Sequence, residues 1–188
     1  LAAKGDAIVP QLMNLFKTQT NRFVQARAIW VLAQTGPKGQ GEVRKLLTNK
    51  NPQWRLVAYR ALRRGQPKAL LEHARMMADD PDPSVRREVA LSLRDLSYEQ
   101  CRDILRVLIE GYNGENRWYL EALGTAATGK EIEVYSKLIR PQLIKIPFSK
   151  WNDRAKHLAW RFHTPKAIND LSQVIVTQKP PVKEFRRL

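Results

Sequence analysis

Cysteine is almost absent from this chain, with Cys101 alone. A single thiol closes no internal disulfide and builds no thiolate metal site. It lies among apolar helix positions beside Ile104 and Leu105, where a thiol packs as a small inert hydrophobe. Long apolar runs are missing too. Stretches such as 26–33 and 104–109 are interrupted or bounded by charge, and none reaches the roughly 18–20 residues of a membrane-spanning helix. No charged-then-apolar leader opens the chain. It begins with Leu1 rather than Met, as a domain excised from a larger protein would. The three histidines, His73, His157 and His163, are scattered, and no carboxylate stands at ligand spacing from them, so no metal is expected. There is no Gly-rich phosphate loop, no Cys-x-x-Cys-His haem attachment and no nucleophile elbow, and no cofactor is expected in this stretch. Strand-period segments are missing as well.

Acid is scarce relative to base. Thirty-three Lys and Arg stand against 18 Asp and Glu, a net charge of +15. The excess is uneven: residues 1–50 carry +6, 51–100 and 101–150 carry +2 each, and 151–188 carry +5. A basic field attracts nucleic acid, acidic lipid or acidic protein alike, so it bears on association and not on fold. Hydrophobic residues make up 43%, enough for a continuous core and too many for a disordered chain.

What the chain does have is an internal repeat. Four segments superpose at residues 24–32, 54–62, 85–93 and 115–123. Each ends on an anchor leucine: Leu32, Leu62, Leu93 and Leu123, spaced 30, 31 and 30 apart. Three positions earlier stand Ile29, Tyr59, Ala90 and Leu120, on the same helical face. A fifth copy, 152–160, ends on Trp160 and arrives about six residues late, the delay being read as an enlarged loop over 141–149. Further helices fall between these at 8–17, 42–47, 68–78, 99–110, 131–139 and 165–177. Starts are marked by Asn51-Pro52, Asp82-Pro83 and Thr164-Pro165, and by the capping-box spacing of Ser97 and Gln100. Gly36, Gly65 and Gly129 mark stops.

The phrase Asp82-Pro-Ser-Val-Arg-Arg-Glu-Val-Ala-Leu-Ser-Leu93 resembles the HEAT-repeat signature. The resemblance implies an all-α fold, a right-handed α-α superhelix (a HEAT/armadillo-like solenoid) of about five to six helix pairs. The repeats fall at 6–35, 40–65, 67–96, 98–127 and 130–163, with a partial one at 165–188. In that family the first helix of each pair lies on the convex face and the second lines the concave face. HEAT repeats also use an arginine seven residues before the anchor, here Arg55 and Arg86, to tie one repeat to the next through the turn aspartate, here Asp82; the other reading of these arginines is a basic ladder on the concave face, set for phosphates or carboxylates.

Arginines outside that ladder form the candidate binding patch: Arg60, Arg63, Arg64, Arg87, Arg94, Arg154 and Arg161. Five tryptophans, Trp30, Trp54, Trp118, Trp151 and Trp160, interleave with arginine. Such aromatics stack on bases in some proteins. Trp30 and Trp160 fall on the apolar faces of their helices, which favours packing.

Residues 111–131, with their Tyr-Asn-Gly and Arg-Trp-Tyr-Leu-Glu-Ala-Leu-Gly phrases, look like the HEAT domain of large bacterial multidomain proteins, and so do residues 159–167. In those proteins a β-propeller resembling sugar dehydrogenases precedes the repeats and a c-type haem domain follows. That likeness implies an exported, extracytoplasmic parent with a redox or carbohydrate-related role, any haem lying elsewhere in it. The tail at 180–188 has the look of a helix cut short. Two functions follow. The first is a monomeric, non-catalytic scaffold binding a protein or an adjacent domain through its concave face. The alternative is a nucleic-acid binder gripping phosphates with concave Arg and Lys, whose affinity would fall steeply with salt.

Overall fold

The computed structural model describes residues 2–178, and those residues are helical or in turns, with no strand. The partial helix expected beyond residue 178 lies outside the described residues. The chain divides into two compact units, Leu1–Glu88 and Val89–Leu188.

In the first unit, α1 (Val9–Thr18) packs on α2 (Arg22–Leu32), and α3 (Pro37–Lys45) on α4 (Pro52–Gly65). After them come α5 (Leu70–Met77) and α6 (Pro83–Ser92), the unit boundary falling inside α6. Side-chain caps set the entries. Asn21 Oδ1 accepts from Phe23 N at 2.9 Å, Asn51 Oδ1 from Gln53 N at 2.9 Å, and Asp82 Oδ1 from Ser84 N at 2.7 Å. Each satisfies an N–H that the first helical turn leaves without a partner. Leu32 and Leu62 are fully buried, as are Ile29 and Tyr59 three positions earlier. Gly65 is required by packing: a Cβ there would come within 2.2 Å of Ala33 O. The Gln40 side chain bridges the two helix ends, donating to Ala33 O and Gly65 O.

The second unit holds α7 (Tyr98–Glu110), α8 (Arg117–Ala126), α9 (Glu131–Val134), α10 (Arg140–Leu143), α11 (Asp153–Phe162) and α12 (Pro165–Gln178). Ser97 and Gln100 make the reciprocal capping box at the start of α7. A π turn, Tyr135–Ile139, joins α9 to α10. Its cause is Pro141, which has no N–H and whose ring would strike the carbonyl four residues back in a regular helix; a widened turn relieves that clash. Residues 141–143 are therefore helical, and the loop expected at 141–149 begins later, at 144. Asp170, 1% exposed, ties α12 to this segment. It accepts from Tyr135 Oη (2.9 Å) and from Arg140 Nε (2.8 Å); burial and the shared hydrogen bond push the tyrosine pKa well up.

Leu93 and Leu123 are fully buried in this unit. The fifth repeat departs from the expected register. Trp160 is 55% exposed, and the buried set is Ala155, Leu158, Ala159 and Phe162. Those offsets reproduce the ones buried around Leu62 when Phe162, two residues later, is the anchor. The lengthened 144–152 connection obscures that shift in the sequence.

Candidate docking cleft on α8, α11 and α12

The ladder arginines come first, because they remove candidates. Arg55 donates to Asp80 through Nε (2.7 Å) and Nη2 (2.6 Å), a bidentate pair with both residues buried. Its Nη1 donates to Asn49 O and Lys50 O, six and five residues back. Hydrogen bonding to Asp80 holds the guanidinium pKa above its ordinary value. Arg86 repeats the backbone half of this pattern on Asp80 O and Pro81 O. The aspartate that Arg55 takes is thus Asp80 and not Asp82, which caps α6 instead. Asp80 wins because its Oδ1 also accepts from Asp82 N, fixing it inward beneath the turn.

The patch arginines do not make one free surface. Arg60 and Arg63 both pair with the nearly buried Glu88, at 2.5 and 3.2 Å. Arg154 donates to Tyr112 O (2.6 Å) and Ile109 O (3.0 Å), pinning the loop after α7, and burial pulls its pKa down. Arg161 donates from Nε to Glu121 at 2.8 Å. Arg64 and Arg94 are exposed and Arg87 half-buried, with no ion pair among the described residues. Arg60, Arg63, Arg64 and Arg87 belong to the first unit, and Arg94, Arg154 and Arg161 to the second.

The second unit also contains a cleft of about 870 Å³, which no sequence motif announces. Three helices line it, each with residues at helical spacing. Leu120 and Glu121 come from α8, Trp160 and Arg161 from α11, and Ile168, Leu171 and Ile175 from α12. The α12 residues stand at i, i+3 and i+7, a single apolar stripe. Ile168 is 56% exposed and Ile175 41%. The lining is mostly apolar, with charge at a few points.

Close helix approach shapes the cleft floor. A Cβ on Gly124 would fall 1.9 Å from Arg161 Cζ, so the guanidinium lies against the bare backbone of α8 and meets Glu121 there. The 111–116 loop closes one end. Gly114, at φ +98, makes a turn that L side chains rarely adopt. Gly114 O lies 3.1 Å from His157 Nδ1, and Tyr112 Oη stands 3.3 Å from the same nitrogen. With Nδ1–H donating to the carbonyl, the imidazole has a fixed orientation on the cleft wall. Tyr112 packs edge-on against Tyr119, whose hydroxyl donates to Leu108 O at 2.6 Å.

His157 and His163 both line this cleft, but the described residues hold no cluster of three or more metal-ligating groups. Cys101 is buried, donates to Ser97 O, and has its pKa raised by that burial, the opposite of an activated nucleophile. Of the tryptophans, Trp151 is buried, while Trp118 (70%) and Trp160 (55%) project outward.

Successive helix pairs, a buried anchor in each, and an arginine tied into the inter-helix turn define a helical-repeat protein. Residues 9–94 match the family model for HEAT repeats, spanning α1 to α6. The chain matches no curated protein and no solved structure. HEAT repeats generally serve as protein-interaction scaffolds, and the all-helical fold is of that HEAT-like kind.

Proposed function

We propose that the chain is a non-catalytic interaction module that seats an amphipathic helix of a partner protein, or of an adjacent domain, in the cleft on α8, α11 and α12. The observation that carries this reading is the Ile168–Leu171–Ile175 stripe, which lines an open cleft together with Leu120 and Trp160. Stripes at i, i+3 and i+7 are how helices anchor in apolar grooves. The exposed Trp160 has the character of a binding hot spot, a large apolar body with a polar N–H. The α8 and α11 walls are second helices of their pairs, the position that the HEAT resemblance assigns to the concave face, and α12 is the first helix of the next, partial pair. The likeness of 111–131 and 159–167 to exported bacterial multidomain proteins supports a redox or carbohydrate-related parent and a place outside the cytoplasm.

The test is selection of peptides from a random display library on the immobilised domain, followed by affinity measurement on variants. Ile168→Glu/Ile175→Glu changes exposed positions and leaves the core intact. It should abolish binding of the selected peptides, while Met76→Glu in the first unit should not. Peptides that bind both variants equally would end this reading.

One observation favours the nucleic-acid alternative: Trp118 is 70% exposed beside the exposed Arg117. Titration with duplex and single-stranded DNA at about 50 and 200 mM salt decides it, since six to ten phosphate contacts change affinity roughly 10³–10⁵-fold over that range. Tight binding that survives the higher salt, with a preference among nucleic acids, would put this alternative first.

A further inference from the structure

Between Glu133 and Asp153 the chain carries four bases, Lys137, Arg140, Lys145 and Lys150, and no acid. The lengthened connection after α10 lies in this stretch, and the cleft makes no use of it. Ile144 is 50% exposed and Ile146 38%, with exposed Lys145 between them and exposed Pro147 after.

The loop that carries these isoleucines rests on a built support. Trp151 is 2% exposed beneath the loop, and its Nε1 donates to Ile146 O at 3.2 Å. Its ring packs on Phe148 at 5.3 Å. Gln178 Nε2, at the end of α12, donates to Phe148 O (2.8 Å) and Trp151 O (3.1 Å). The buried aromatic and these three hydrogen bonds to carbonyls fix the backbone at Ile146, Phe148 and Trp151. Near the same end of α12, Ile175 is exposed, and Val176 follows at 66% exposure.

The loop's own charges, Lys145 and Lys150, are of one sign, and the acids flanking it are Asp170 and Asp153. Arg140 is engaged by Asp170, and Lys137 lies over the Tyr98 ring at 4.9 Å. Lys145 and Lys150 are exposed with no ion pair among the described residues. The next acid along the chain, Asp153, stands 3.8 Å from Lys156. Exposed aliphatic groups alternating with lysine, with no acid between Glu133 and Asp153, combine the two signals that hold a protein at an anionic bilayer.

We propose that the 144–150 loop is a membrane-contact site, with Ile144 and Ile146 entering the headgroup region of an anionic bilayer and Lys145 and Lys150 facing its phosphates. The test is co-sedimentation of the full chain with vesicles of phosphatidylcholine alone, and with roughly one-third phosphatidylglycerol added. Partitioning is expected onto the anionic vesicles only. Ile144→Ser/Ile146→Ser should lower the partition coefficient about tenfold, and Lys145→Gln/Lys150→Gln about thirtyfold. Both pairs are exposed, so circular dichroism should stay unchanged. As a second readout, Ile146→Cys carrying an environment-sensitive dye should shift to the blue on anionic vesicles, buried Cys101 escaping the label. No partitioning onto either vesicle would overturn the proposal. So would partitioning that survives Ile144→Ser/Ile146→Ser without a dye shift, which would mark a general basic surface.

Discussion

Removing Asp80 should damage the first unit more than removing any other acid in it. Asp80 is 6% exposed and Arg55 9%, and Asp80 takes two of the guanidinium's N–H groups as well as Asp82 N. Asp80→Ala leaves a buried cation with the carbonyls of Asn49 and Lys50 and the more distant charge of Asp82. Breaking a buried pair from one side costs about 3–5 kcal/mol. Asp80→Asn keeps an acceptor and loses the charge, and about 1–3 kcal/mol is expected. In a chain of this size that is a fall in Tm of roughly 2–4 °C per kcal/mol. Urea unfolding followed by circular dichroism measures it. The double variant Arg55→Met/Asp80→Leu removes both charges together and should recover much of the loss, because the isolated charge is what costs most. A loss below about 0.5 kcal/mol for Asp80→Ala, or a double variant worse than the sum of the singles, would refute the claim that this pair ties the repeats.

Three further outcomes follow from the packing. Leu93→Ala empties a fully buried anchor and should cost about 2–5 kcal/mol in the same assay. Gly124→Ala places a Cβ 1.9 Å from Arg161 Cζ, the far end of a flexible side chain that can swing aside, so the Arg161–Glu121 pair should be lost while stability changes by less than about 1 kcal/mol, and Arg161→Ala added to it should cost nothing further. His73 is 1% exposed, neither ring nitrogen has a hydrogen-bond partner among the described residues, and burial lowers its pKa, with Glu72 and Arg44 the nearby charges. The unfolded chain therefore binds that proton more readily than the folded one. Stability from this group is complete above about pH 6.5 and falls as pH drops below it. Urea midpoints across that range should show the fall in the wild type and less of it in His73→Phe.

The helix pairs are legible because a repeat writes the same apolar offsets many times. Leu32, Leu62, Leu93 and Leu123 are all fully buried, and the Asn51, Asp82 and Ser97 caps form as their spacing implies. The fifth copy reads two residues early because the π turn and the long 144–152 connection break the period. Phe162, and not Trp160, takes the anchor place. The arginines are visible as charges, but their partners are not. Glu88 lies 28 and 25 residues from Arg60 and Arg63, and the carbonyls that Arg154 takes lie 42 and 45 residues away. No local pattern carries pairings of that range. The cleft is of the same kind. Its one readable sign is the Ile168, Leu171 and Ile175 stripe, which taken alone looks like another core face.

The five tryptophans supply the most direct test of the cleft as the docking site. With indole nitrogens labelled with ¹⁵N, a selected peptide would be titrated into the domain and the Nε1–H signals followed by NMR. Trp160 lies in the cleft, whereas Trp30 and Trp54 belong to the first unit. Docking as described should move the Trp160 signal at saturating peptide and leave those of Trp30 and Trp54 in place. Movement of Trp30 or Trp54 with Trp160 unchanged would place binding elsewhere and contradict the account.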